Sequence, residues 1–343
     1  MTRRLGANNQ PRHPAEAALA GLLSSVEGSK DEKLDVALLM PTIQAGMGQA
    51  WRATALLALA VLAAGSAWPA MKHGLADATP VWFATGRAAV SAAAAFALLA
   101  ALGRLRFPSR ADLPIILSIG GLQLCAFFTL THLGLDLLPA GRSVVLAYTT
   151  TLWVVPLAGP LLGEWPRRRQ LAGVALGLAG VTVLLAPAAD TLDGRIGTGE
   201  GALLGHLYLI GAALAWALAI LHSRGHRWHL SPLQVMPWQM LFASALLLPL
   251  AFIIEPAGGI APTARALVPL AYIGLFAGLA ITWAATSVAR LLPAVASSLG
   301  FLATPIVGVA ISALWLGEAI GVDLVAGGVL VLAGATIAIL AAR

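Results

Sequence analysis

The chain has 343 residues, 59% of them hydrophobic and only 10% charged, with a mean hydropathy of +0.86. Soluble domains carry about 25% charged residues, so an ordinary water-soluble protein is excluded and a bilayer is the solvent that this composition fits. The formal charge of +6 comes without any Lys/Arg-rich block interleaved with aromatics, which excludes nucleic acid as a partner. The single cysteine, Cys125, excludes an intramolecular disulfide, a thiolate zinc site and an iron–sulfur cluster.

Residues 1–50 hold five basic and five acidic residues and no apolar run long enough to span, so they read as a disordered or weakly helical cytoplasmic extension. Met47, followed by Gly-Gln-Ala-Trp-Arg and an apolar stretch, would serve equally well as a natural start, and composition leaves both readings open. Beyond it, a helix needs roughly 20 apolar residues, at about 1.5 Å each, to cross about 30 Å of hydrocarbon. Ten runs qualify: 54–71, 80–102, 113–133, 140–161, 171–186, 202–221, 233–254, 267–287, 295–316 and 322–341. The predicted fold class is an all-α integral membrane protein with ten transmembrane helices.

Lys and Arg in short loops set the orientation. With the N-terminus inside, Arg52, Arg104, Arg106, Arg110, Arg167, Arg168, Arg169, Arg224, Arg227, Arg290 and Arg343 fall in the cytoplasm. Only Lys72, Arg142, Arg195 and Arg265 fall outside, where Asp77, Asp136, Asp190, Asp193, Glu200, Glu255, Glu318 and Asp323 gather. Because residues 1–50 are balanced, the +6 belongs to residues 51–343 and is a topological signal. It predicts a multi-pass protein of the inner (plasma) membrane with both termini cytoplasmic, and it leaves Arg87 inside a span.

The sequence repeats. A shift of 154 residues superposes Pro139 on Pro293, Ala140 on Ala294, Ser143 on Ser297, Thr150 on Thr304, Gly163-Glu164 on Gly317-Glu318, Gly173 on Gly327, Gly180 on Gly334 and Thr182 on Thr336. Trp68 answers to Trp216 at a shift of 148. The halves, residues 51–189 and 190–343, hold five spans each. An odd number makes the second half enter from the opposite side, which gives two inverted five-helix repeats with a site near the midplane. Glu164 and Glu318 then belong on opposite faces, each capping or pairing at the end of a fourth-type helix.

Five-helix halves with a Trp late in the first helix, a Pro-Ala-x-x-Ser start to the fourth, and Leu162-Gly163-Glu164 with Leu316-Gly317-Glu318 at its close resemble the EamA-type family of the drug/metabolite transporter superfamily. The likeness covers residues 51–343. It implies a secondary transporter, often an exporter of amino acids or related metabolites. Its central cavity would be lined by helices other than the fifth and tenth.

Arg87 leads the candidate site residues. It is either a cation facing the cavity for an anionic group, or an Arg tied to backbone carbonyls, Asp77 or Asp136 at the outer rim. Its repeat counterpart, by spacing from Pro80 and Pro232, is Gln239. Trp68 and Trp216 pack against ligand or merely within the bundle. Tyr148 and Thr150, mirrored by Thr304, lie at mid-depth of the fourth helix type, where a Thr either faces the cavity or bonds the preceding turn. Gln123, at the centre of the third span, is costly to bury without a partner.

Helix-breaking prolines such as Pro156, Pro160, Pro237, Pro249 and Pro269 suit kinking. Gly173-x-x-x-Gly177 with Gly327, Gly328 and Gly334 suits close helix packing or a homodimer seam. His222, His226 and His229 have helical metal spacing but lie among Arg224 and Arg227, so no metal is expected, and no cofactor motif is present. An intramembrane enzyme is disfavoured because no nucleophile and base assemble, and an ion channel because filters repeat about an axis normal to the membrane. No Asp or Glu lies deep in a span. With Arg87, this favours a zwitterionic or anionic metabolite, amino acids first, over the drug cations or nucleosides of a multidrug-type exporter. His73 and His132 are expected near the outer mouth.

Overall fold

The computed structural model describes residues 30–185, 200–226 and 228–342. Asp190, Asp193, Arg195, Arg227 and Arg343 of the loop census lie outside the described residues. The chain divides into two units, Met1–Thr54 and Ala55–Arg343. The described part of the first is helical from Lys30.

Among the described residues ten helices are long and apolar enough to cross a membrane: α1 (Trp51–Asp77), α2 (Pro80–Ala101), α3 (Leu113–Leu137), α4 (Ala140–Leu162), α5 (Arg168–Leu185), α6 (Gly201–Arg224), α7 (Pro232–Ile254), α8 (Ala264–Ala285), α9 (Val295–Leu316) and α10 (Val322–Leu340). Among the described residues the only non-helical pairing is an isolated bridge between Ala78 and Ile260.

Matched sequence gives matched backbone. Pro139 and Pro293, with ψ of 147° and 145°, each end an extended dipeptide and start the next helix, because the ring fixes φ. Both fourth-type helices then break after two turns. α4 consists of Ala140–Ala147 and Thr150–Leu162, and α9 of Ala294–Phe301 and Ala303–Leu316. Gly163 and Gly317 close them with φ of +75° and +70°, a left-handed turn that only Gly adopts without strain. α3 and α8 each widen into π-helical turns, over Ile119–Ala126 and Tyr272–Ala277, at matching depth.

Packing follows the same symmetry. α2 lies against α7, the first half of α4 against the second half of α9, and α5 against α10, so helices pair with their own repeat equivalents. The α5–α10 seam is built of glycine. A Cβ on Gly173 would stand 2.7 Å from the Gly334 carbonyl oxygen, and one on Gly180 would stand 2.6 Å from that of Gly327. These glycines let α5 and α10 pack backbone to backbone within the chain, as bilayer helices that associate by close packing do.

Because successive helices alternate in direction, Glu318 meets the start of α4 while Glu164 lies at its end, so the two occupy opposite faces of the bundle. The repeats are inverted.

Candidate functional site

Arg87 lies seven residues into α2 and is partly buried. Its guanidinium carbon lies 4.0 Å over the Phe128 ring, and Nη1 lies 3.1 Å from the Met71 sulfur. Neither of the outer-rim partners considered from sequence holds it. Asp77 accepts from the Thr263 hydroxyl at 2.6 Å, and Lys72, 2.7 Å from the Leu135 carbonyl and 3.0 Å from that of Asp136, caps the end of α3. Among the described residues no carboxylate lies within ion-pair distance of Arg87. A cation held only by an aromatic face and a thioether has its positive charge stabilised in part and its hydrogen-bond donors largely unused.

Phe128 links Arg87 to an aromatic group. It neighbours Phe127, whose ring meets Trp216 edge-on at 4.5 Å. Trp68, 5% exposed, and Tyr148 belong to the same apolar cluster. His132, five residues before the end of α3, is fully buried, in contact with Phe128 and Phe83. Its Nδ1 donates to the Phe128 carbonyl at 2.6 Å, which leaves Nε2 an acceptor with no donor. The helical spacing of Phe128 and His132 sets both rings on one face of α3, with Arg87 over Phe128, a signal visible in sequence only once α2 and α3 are known to pack.

The remaining candidates divide. Tyr148 sits at the break in α4, with its hydroxyl beside the buried hydroxyl of Thr304. Thr150 instead bonds the Ala147 carbonyl at 2.9 Å, so its hydroxyl serves its own helix. Gln239 is 6% exposed with Nε2 unpartnered, and its backbone carbonyl approaches Gly120 in the widened part of α3. Gln123, in that same widened segment, makes no hydrogen bond within the described protein. Arg87 and Trp216 are therefore linked through the Phe128 and Phe127 rings, while Trp68 and Tyr148 lie in the wider apolar core. Gln239 reaches α3 at Gly120, three residues before Gln123, and Thr304 lies beside Tyr148. A recess of about 600 Å³ between α1, α8 and α9, lined by Ser66, His73, Tyr272 and Trp315 among others, includes none of the eight candidates.

The two faces differ. On the Glu318 face, Glu318 accepts from the Ala140 and Gly141 backbone N–H groups at 2.6 and 2.8 Å. Arg142 joins Asp323 and also donates to the Leu184 carbonyl. Glu255 takes the first free N–H groups of α2, from Val81 at 3.1 Å and Trp82 at 3.3 Å, a capping role that counting it as a loop acid did not disclose. On the Glu164 face, the loop between α2 and α3 meets that between α6 and α7. Asp112 there accepts from Ser109 and from the Leu230 N–H and faces His229. Burial opposes its charge, but these contacts outweigh it and hold the carboxyl below the usual carboxylate range. Among the described residues Glu164 pairs only Arg224, at 3.3 Å, with both side chains more than half exposed.

The model of the EamA-like transporter family matches residues 51–186 and again 203–340. The chain is 23% identical to an uncharacterized transporter, YoaV, of Bacillus subtilis, over 79% of this chain and 90% of that protein. It is 28% identical to a probable terminal-alkyne amino-acid exporter of Streptantibioticus cattleyicolor, over 81% and 90%. It is also 28% identical to a probable amino-acid metabolite efflux pump of Salmonella typhimurium, over 69% and 81%. A crystal structure that is 21% identical superposes with a TM-score of 0.57 over 85% of this chain and 99% of its own, a likeness of fold.

Proposed function

The chain belongs to the EamA-like transporter family, whose model covers both of its halves, and from that premise we propose that it exports an amino acid or a close relative by alternating access. It works in the inner membrane with both termini in the cytoplasm. The observation that carries this reading is Arg87: a partly buried guanidinium within a span, seated on Phe128, with no carboxylate among the described residues to neutralise it. Such a charge is costly in a bilayer unless something pairs it, and a substrate carboxylate pairs a guanidinium through two parallel hydrogen bonds. The aromatic group of Phe127, Phe128 and Trp216 offers apolar surface for a side chain beside it. Two relatives whose names specify amino-acid export point the same way.

The test is reconstitution into liposomes with radiolabelled amino acids, drug cations and nucleosides, with and without a pH gradient. Uptake or efflux of amino acids, competed by other amino acids, is expected. Transport of cations or nucleosides alone would overturn the assignment. A reporter fused after Arg343 is expected to be active in the cytoplasm, and periplasmic activity would overturn the orientation.

A further inference from the structure

We propose that Glu164 and Glu318 are alternating latches: in the conformation opposite to this one, Glu164 leaves Arg224 and caps the start of α9 at the backbone N–H groups of Ala294 and Val295, while Glu318 releases the start of α4. The inference rests on the alternating-access reading above.

The 154-residue shift maps Ala140 and Gly141, the groups that Glu318 caps, onto Ala294 and Val295, and it maps Glu318 onto Glu164. The first N–H groups of a helix have no partner within it and carry the positive end of its dipole, so a carboxylate closing on two of them is a strong and geometrically defined contact. Both glutamates follow a left-handed glycine, so each is thrown from its helix end by the same turn. Only one is engaged. Glu164 is 58% exposed and holds Arg224, itself 54% exposed, through one contact at 3.3 Å, the kind of surface pair that is cheap to leave.

The packing beneath the latches shows the same imbalance. On the Glu318 face Val144 packs on Gly308, and Gly141 on Val309. The symmetry images of these contacts are Ser298 on Val154 and Val295 on Val155. The second half of α4 packs instead on α5, α6 and α10, with no comparable contact to the first half of α9. The structure is thus latched on one face and unlatched on the other. An inverted repeat can exchange the two states by giving each half the conformation of its counterpart. The two latches make the states mutually exclusive by using one kind of contact twice.

The test uses the full chain in liposomes, with Cys125→Ala and the pair Val155→Cys and Val295→Cys, which an oxidant can join only when the Glu164 face is closed. Glu164→Gln is expected to lower the cross-linked fraction about tenfold, the equilibrium change that loss of a helix cap produces. Arg224→Gln, which frees Glu164 without removing it, is expected to raise that fraction, as is Glu318→Gln. An unchanged fraction in Glu164→Gln, or a fall in both Glu164→Gln and Arg224→Gln, would overturn the proposal. The former variant alters only an exposed pair, so folding does not obscure the result. Shifts of the expected sign in a protein that moves no amino acid would sink the substrate assignment and leave the latches. Amino-acid transport with unaltered cross-linking would sink the latches alone.

Discussion

Replacing Arg87 should separate binding from stability in opposite directions. In Arg87→Met the protein loses a guanidinium 4.0 Å from the Phe128 ring, a contact worth up to about 2 kcal/mol where desolvated. It also sheds a partly buried positive charge that no described carboxylate neutralises, a burden of several kcal/mol even after relaxation. The relief outweighs the loss, so the variant should melt at the same temperature as the parent or higher. Substrate affinity should fall, because a charge-assisted, two-bonded contact to a carboxylate is worth about 2–4 kcal/mol, or roughly 30- to 900-fold in Kd. Arg87→Lys keeps the charge but neither the planar stacking nor the fork, so it should lie between the two. The assay is purification in detergent, confirmation that each variant is monodisperse, then thermal unfolding beside amino-acid binding. A well-folded Arg87→Met protein with unchanged affinity would refute the reasoning, as would a marked drop in melting temperature with affinity intact.

Gly334→Ala would place a methyl 2.4 Å from the Gly173 carbonyl oxygen and 2.5 Å from the Gly177 nitrogen, both backbone. The helices must part by about 1 Å, and overpacking of this kind costs about 1–3 kcal/mol, visible as a lower melting temperature. Removing Arg142 alone leaves Asp323 and the Leu184 carbonyl unpaired on the Glu318 face, so Arg142→Ala should cost about 3 kcal/mol. The double variant Arg142→Met with Asp323→Leu should recover much of that, and equal losses in thermal unfolding would contradict the pairing. Asp112 has its folded pKa below the unfolded value of about 3.9. Its stabilising contribution is therefore complete above pH 4 and is lost as pH falls through the folded pKa. The stability gap between the parent and Asp112→Asn, measured by melting in detergent from pH 6 to pH 3, should narrow only at the acid end.

Whatever the bilayer and the backbone dictate locally was legible in the chain. Length and apolarity specify ten spans, since each must cross the same hydrocarbon thickness with its backbone bonds satisfied internally. The constant shift of 154 residues disclosed the repeat, because Pro139 and Pro293 start helices, and Gly163 and Gly317 end them, by conformational preferences that need no neighbour. The tertiary structure alone decided who meets whom. No spacing along the chain announces that Arg87 rests on Phe128 and Met71 rather than on Asp77 or Asp136, that His132 is buried, or that the α5 glycines face those of α10. Nor could two equivalent glutamates be told apart by sequence, since a symmetric code is compatible with either face closed. Contacts between distant helices depend on rotation and depth in the bundle, which are set by packing against several partners at once. They are therefore written in no single segment.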